Sequence, residues 1–263
     1  MNSNSPRTAR PIDGSHLLVS GGTSGPGLAV ARHFAHAGAR RIALVGRDEE
    51  RGKRACASFA DSAADVVFVR GDAGDARDST RIAHDAADFL DSRIDTFVSA
   101  VAAGGHASPL HRQSADELER LLVGLVLPVM QMNRAVLPAM RESGGTIVNI
   151  ASDAAKVPTP GESVVGGAMA AITMFSRTLA VELKRDGIRV NAVTPSLIAG
   201  TPTAENLLSQ PFGAKIFDRI TAKAGLGLPD ATEVADTVLW LASPGAAKVT
   251  GQVISVNGGI SAG

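Results

Sequence analysis

Ser20-Gly21-Gly22-Thr23-Ser24-Gly25-Pro26-Gly27 follows the apolar run His16–Ser20 and opens directly into Leu28-Ala29-Val30-Ala31. A glycine-rich turn between a strand and a helix lets the backbone approach a pyrophosphate closely. The start of the helix then offers unpaired N–H groups and the positive end of its dipole to the anion. An ordinary tight turn could carry the same glycines, so the surrounding pattern decides. Further short apolar runs occur at Arg41–Val45, Val66–Val69, Thr96–Ala100, Thr146–Ala151, Ile188–Thr194 and Val253–Val256. Most are continuous rather than alternating, as expected of parallel strands buried on both faces. Helix-length segments separate them, at Gly27–Ala37, Glu49–Ala60, Asp75–Asp91, Ala115–Arg141, Ser163–Arg185 and Thr232–Leu241. Each parallel crossover needs a covering helix. The pattern therefore predicts an α/β fold, a doubly wound parallel sheet of seven strands with helices on both faces.

Working outward, residues 14–263 read as one domain of this Rossmann type, without internal repeats. The polar stretch 1–13 lacks the apolar core of a signal peptide and is expected to be a disordered tail. Residues 197–228, rich in Pro, Gly and Thr, break the strand–helix rhythm and are expected to form a lid over the carboxyl ends of the strands. The 26 basic and 26 acidic residues cancel, which leaves no electrostatic footprint for nucleic acid or an acidic membrane surface. No apolar run reaches the roughly 18 residues expected of a spanning segment, and the lone Cys56 suits a reducing compartment. A cytoplasmic location is expected. The chain contains no tyrosine.

The glycine turn resembles the T-G-x-x-x-G-x-G fingerprint of the short-chain dehydrogenase/reductases. The resemblance continues through Gly71-Asp72-Ala73, Gly145-Thr146-Ile147-Val148-Asn149-Ile150-Ala151-Ser152 and Leu179-Ala180-Val181-Glu182-Leu183. It also covers Gly187 to Pro195, Thr250-Gly251-Gln252-Val253 and Val256-Asn257-Gly258-Gly259, and so nearly the whole chain. It implies a nicotinamide cofactor held by Gly21, Thr23, Ser24, Gly25, Pro26 and Gly27. Asp72, Ala73, Ser99, Pro195 and Ile198 are further implied contacts. The second strand run leads into Gly46-Arg47, with no acidic residue to accept from the ribose 2′-hydroxyl of NAD. A guanidinium at Arg47 suits the 2′-phosphate of NADP, so NADP(H) is expected. Arg47 would otherwise be a solvated surface charge. No metal is expected.

The family's carbonyl reductases use an Asn, Ser, Tyr, Lys tetrad, in which tyrosine exchanges the proton and lysine holds the nicotinamide ribose. Ser152 matches the serine. The family's spacing from it places Val165 where tyrosine belongs and Met169 at the lysine position. The asparagine position falls on Leu125, or on Gly124 with one gap. Other groups near the site are Lys156, Glu162 and Ser163, together with His106 and His111 after the fourth strand. Glu162-Ser163 could equally cap the following helix, Lys156 could be a solvated loop charge, and the histidines could be ordinary surface residues. The expectation is an NADP(H)-binding oxidoreductase with a degenerate tetrad. The alternatives are a non-catalytic cofactor-binding subunit or sensor, and a lyase or isomerase using the same pocket. By the family's habit, the helices Ala115–Arg141 and Ser163–Arg185 pair across a two-fold axis. Their Leu121, Leu122, Leu125, Val129, Ile172 and Phe175 exceed what one core face needs, which predicts a homotetramer, or else a dimer.

Overall fold

The computed structural model describes residues 10–100 and 107–261. Its strands are β1 (His16–Ser20), β2 (Arg41–Gly46), β3 (Asp65–Arg70), β4 (Thr96–Ser99), β5 (Gly145–Ile150), β6 (Ile188–Pro195) and β7 (Val253–Val256). The helices are α1 (Gly25–His36), α2 (Glu49–Ala57), α3 (Ala76–Phe89), α4 (Ala115–Arg141), α5 (Ser163–Leu183), α6 (Pro202–Ser209), α7 (Pro211–Thr221) and α8 (Ala231–Ala242). One seven-stranded sheet runs in the order β3-β2-β1-β4-β5-β6-β7, with every pairing parallel.

Side chains on a strand alternate between faces, and the two halves of the core follow from that. Leu17 and Val19 of β1 join Ile42 and Leu44 of β2 beneath α1, α2 and α8. Leu18, Ala43 and Val45 turn the other way, towards α3, α4 and α5. Interior strand β1 is buried along its whole length, which is why its sequence does not alternate, whereas the edge strands β3 and β7 are partly exposed. The strand order runs outward from β1 on both sides, so a crevice opens between the carboxyl ends of β1 and β4. The glycine turn leaves β1 at that crevice.

Two boundaries differ from the sequence reading. Residues Arg10 to Asp13, assigned above to the tail, lie against the domain. Ile12 packs on the core and the Arg10 guanidinium sits 3.5 Å from the buried Asp95 carboxylate. A buried carboxylate needs such a partner. The segment 197–228, expected to form a lid and given no helix in the sequence reading, contains two, α6 and α7. Each begins at a proline, and proline at the first helical position starts a helix instead of breaking one. These helices build their own small apolar cluster from Ala107, Leu197, Ala204, Leu207 and Phe217.

Helices α4 and α5 are long and apolar enough to cross a membrane by composition, yet each lays a buried stripe on the sheet. Pro128 inside α4 lacks the N–H that would bond the Gly124 carbonyl one turn back.

Candidate active site

A cleft of about 1210 Å³ lies over the carboxyl ends of the strands, between the glycine turn and the α6–α7 segment. Gly21, Thr23, Ser24, Gly25 and Pro26 line one end of it. Gly21 has φ of 80°, a left-handed conformation that glycine adopts without strain, and its N–H donates to the Val45 carbonyl at 3.0 Å. Gly27 is buried and does not line the cleft. A Cβ there would lie 2.3 Å from the Gly21 carbonyl oxygen, so its contribution is the close seating of α1 on the turn. At the start of α1, Ser24 makes no side-chain capping bond, Pro26 occupies the first turn, and no acidic residue stands there. The N–H groups of this helix end are thus unclaimed by side chains and face the cleft, as an anion requires.

Gly46 ends β2 with its α-carbon close to Thr23. An added Cβ would meet Thr23 Cγ2 at 3.0 Å, so a side chain at this strand end would crowd the Thr23 side chain. Arg47 follows, exposed, lining the cleft and without an ion-pair partner among the described residues. Its neighbour Arg51 also lines the cleft but stands 3.7 Å from Asp48. Asp72 and Ala73 border the same end, and the Asp72 carboxylate accepts from the Gly74 N–H at 2.9 Å. Pro195 and Ile198 line the opposite side. Ser99 is fully buried in β4 and does not reach the cleft wall. Among the described residues, the Oγ atoms of Ser99 and of Ser20 beside it have no hydrogen-bond partner.

Ser152, Gly124, Leu125, Val165 and Met169 all line this one cleft. Ser152 caps the 3₁₀ turn Asp153–Ala155, with its Oγ accepting from the Ala154 N–H at 3.2 Å. Its hydroxyl proton remains free to donate. Leu125 and Met169 pack with Val129, Ala168 and Ile172, and half-buried Val165 adds to that cluster. Val165 and Met169 are one helical turn apart and share a face of α5. The first turn of α5 is pressed against the Ser152 turn, since a Cβ on Gly166 would come within 2.8 Å of the Ala154 oxygen. The wall beside Ser152 is therefore apolar. Behind it, a buried relay of Asn133, Asn149 and Ser176 ties α4 and α5 to β5, which the motif reading did not single out.

The remaining candidates separate. Lys156 does not line the cleft; its ammonium is hydrogen-bonded to Ser255 and lies 3.7 Å from Asp153. Asp153 also accepts from Asn257 at 2.7 Å and Ser261 at 2.8 Å, so that lysine belongs to a polar joint with the C-terminal segment. Ser163 is exposed and off the cleft, as is His111 on the 3₁₀ turn Leu110–Arg112. His106 lies outside the described residues. Glu162 lines the cleft, and its side chain makes no capping bond to α5 although it occupies the capping position. Burial pushes its carboxyl up to about 7, with a hydrogen bond to Thr159 acting the other way. The rim carries Arg120, Arg219 and Lys223, which sequence spacing alone did not bring together. Among the described residues no group of three or more His, Cys, Asp or Glu side chains could hold a metal ion.

Fold and cleft define a protein of the doubly wound nucleotide-binding class, and comparison with known proteins narrows it. A family model described as enoyl-(acyl carrier protein) reductase matches residues 21–261. The chain is 33% identical over 253 residues to 2-(R)-hydroxypropyl-CoM dehydrogenase of Xanthobacter autotrophicus, covering 93% of this chain and 98% of that one. It is 29% identical to 3beta-hydroxysteroid dehydrogenase 1 of Eggerthella lenta over 252 residues, covering 95% of each. A 3-ketoacyl-(acyl-carrier-protein) reductase from Brucella melitensis, solved in complex with NADH, superposes with a TM-score of 0.84 at 26% identity, covering 95% of this chain and all 100% of that one. The chain belongs to the short-chain dehydrogenase/reductase family of oxidoreductases.

Proposed function

We propose that this protein is an NADP(H)-dependent oxidoreductase that interconverts a carbonyl and an alcohol with a degenerate tetrad. The observation that carries the reading is the single cleft that joins the uncapped start of α1 to Ser152. The cofactor would rest its pyrophosphate on Gly21, Thr23, Ser24, Gly25 and Pro26, with Gly27 seating the helix behind them. Asp72 and Ala73 border the adenine end, and Arg47, free of an acidic partner, is placed to meet a 2′-phosphate. Pro195 and Ile198 flank the nicotinamide end. Ser99 contributes only from beneath, as part of β4. When bound, the cofactor supplies the hydride. Ser152 donates its free hydroxyl proton as a hydrogen bond to the substrate oxygen, polarising the carbonyl.

Leu125, Val165 and Met169 are the replacements at the asparagine, tyrosine and lysine positions. Their apolar wall, continued by Leu207, Phe217 and Ile220 on the α6–α7 side, suits a small-molecule substrate with an apolar body. The domain is read as one unit over 14–263, with Arg10 to Asp13 laid against it and 197–228 as the lid, in a cytoplasmic protein. Following NADPH absorbance over a panel of ketones and aldehydes tests the reading, with turnover the expected result. Tight cofactor binding without turnover would instead make it a binding subunit, and substrate conversion without cofactor oxidation a lyase or isomerase.

A further inference from the structure

Carbonyl reduction consumes a proton as well as a hydride, and the wall formed by Leu125, Val165 and Met169 has none to give. The acids of the cleft differ in what they already do. Asp72 and Asp75 stand at the adenine end, where both are engaged by backbone N–H groups of the turn leading into α3. Asp153 is engaged by Ser255, Asn257 and Ser261. Glu162, three residues before Val165, lines the cleft with its carboxyl unused by the helix it precedes and hydrogen-bonded to Thr159.

We propose that Glu162 is the proton-exchanging catalytic residue of this protein, acting in place of the missing tyrosine. The proposal rests on the reading of the cleft as a carbonyl reductase site. Glu162 immediately precedes the first turn of α5, and its backbone oxygen accepts from the Gly166 N–H at 2.6 Å. That same turn is pressed on Ala154, two residues from Ser152. The turns that carry Glu162, Val165 and Ser152 are therefore packed together and all three residues line the cleft, with the glutamate one turn before the tyrosine position.

An acid serves at this place only if it still holds its proton near neutral pH. Burial of Glu162 has that effect, raising the carboxyl to about 7. The charged groups on neighbouring elements that share the cleft are Asp153 beside Ser152, Arg120 on α4, Arg219 on α7, and Lys223 in the turn after it. None of them contributes to the shift, whose causes are burial and the Thr159 hydrogen bond.

In the reducing direction, hydride adds to the carbonyl carbon and the C=O π pair moves onto oxygen. That oxygen takes the proton of the neutral Glu162 carboxyl while Ser152 holds it. The products are the alcohol, the oxidised cofactor and the Glu162 carboxylate, which regains its proton from water. The reverse reaction uses the carboxylate as the base that removes the alcohol proton.

The test compares Glu162→Gln and Glu162→Asp with the unsubstituted protein, using His111→Asn, off the cleft, as a control. Expected are a 10²–10⁴-fold lower kcat in Glu162→Gln, the typical worth of a positioned acid, partial retention in Glu162→Asp, and unchanged NADPH affinity in both. In the unsubstituted protein, the reduction rate should fall as pH rises through about 7. Carbon-13 NMR of labelled glutamate gives a readout independent of turnover: one carboxyl should titrate near 7 and vanish in Glu162→Gln. Folding stability gives another. A raised carboxyl favours the folded state below its unfolded value of 4.5, and that advantage is lost as pH rises through 7. Glu162→Gln should therefore gain melting temperature over the unsubstituted protein above pH 7. Turnover left intact in Glu162→Gln, or a Glu162 carboxyl titrating near 4.5, overturns this proposal alone. An unsubstituted protein that binds NADPH but reduces nothing overturns the reading of the cleft, and this proposal with it.

Discussion

Arg47 shows how far a single residue can be read. The sequence places a guanidinium where an acid would select NAD, and the fold adds that this guanidinium is exposed at the cleft with no ion pair among the described residues. Arg47→Ala should therefore weaken NADPH binding by about 10–100-fold, the worth of roughly 1.5–3 kcal/mol for a charge-assisted contact, and leave NADH binding unchanged. Fluorescence titration with both cofactors measures this. Equal affinities in the unsubstituted protein would remove Arg47 from the 2′-phosphate site. Other residues were less legible. Lys156 and Glu162 looked equivalent from spacing alone, as polar groups near the tyrosine position. What distinguishes them is long-range. The ammonium is hydrogen-bonded to Ser255, far along the chain on β7, whereas the carboxyl is left in the cleft. No local pattern encodes a partner that the sheet brings in from the C-terminus.

At the scale of elements, strands and helices were legible because burial on both faces leaves continuous apolar runs and covered crossovers leave amphipathic ones. The α6–α7 segment was not, because Pro202 and Pro211 signal a break in a string of letters and a start in a helix. Helix α5 carries the most direct test of the site. Val165 and Met169 share a face and both line the cleft. The double change Val165→Tyr with Met169→Lys should then raise carbonyl reduction above that of the parent. The lysine alone would bury an ammonium in the cluster of Leu125, Val129, Ala168 and Ile172 and should lower stability. With the tyrosine hydroxyl as neighbour, its charge gains a partner. A full rate is not expected, because Leu125 brings no amide to that wall. Steady-state kinetics with NADPH check it, and a double variant that folds, binds NADPH and is no faster than the parent would show that this face does not meet the reacting carbonyl.

For the whole molecule, the apolar surplus on α4 and α5 had been counted from residues that the fold partly uses up. Leu121, Leu125, Val129 and Ile172 are buried within the chain itself, and Phe175 packs against the core. The burial follows from the sheet and the site taking one stripe of each helix. What stays outside the core and the cleft is a different set: Leu122 at 49% exposure and Leu127 at 37% on α4, with Met174 at 58% and Val181 at 62% on α5. Met174 and Val181 are two turns apart and so lie on the same side of α5. Several large apolar side chains left exposed on one packed helix pair point to an interface, and a two-fold axis lets such a surface cover its own copy. We propose a homotetramer, with a dimer through α4 and α5 as its stable half. Light scattering at micromolar concentration should return the mass of four chains, or of two. Met174→Asp with Val181→Asp should reduce it to a lower state, because each carboxylate would be desolvated opposite its own symmetry mate. The unsubstituted protein running as a monomer would mean that these side chains face water for another reason.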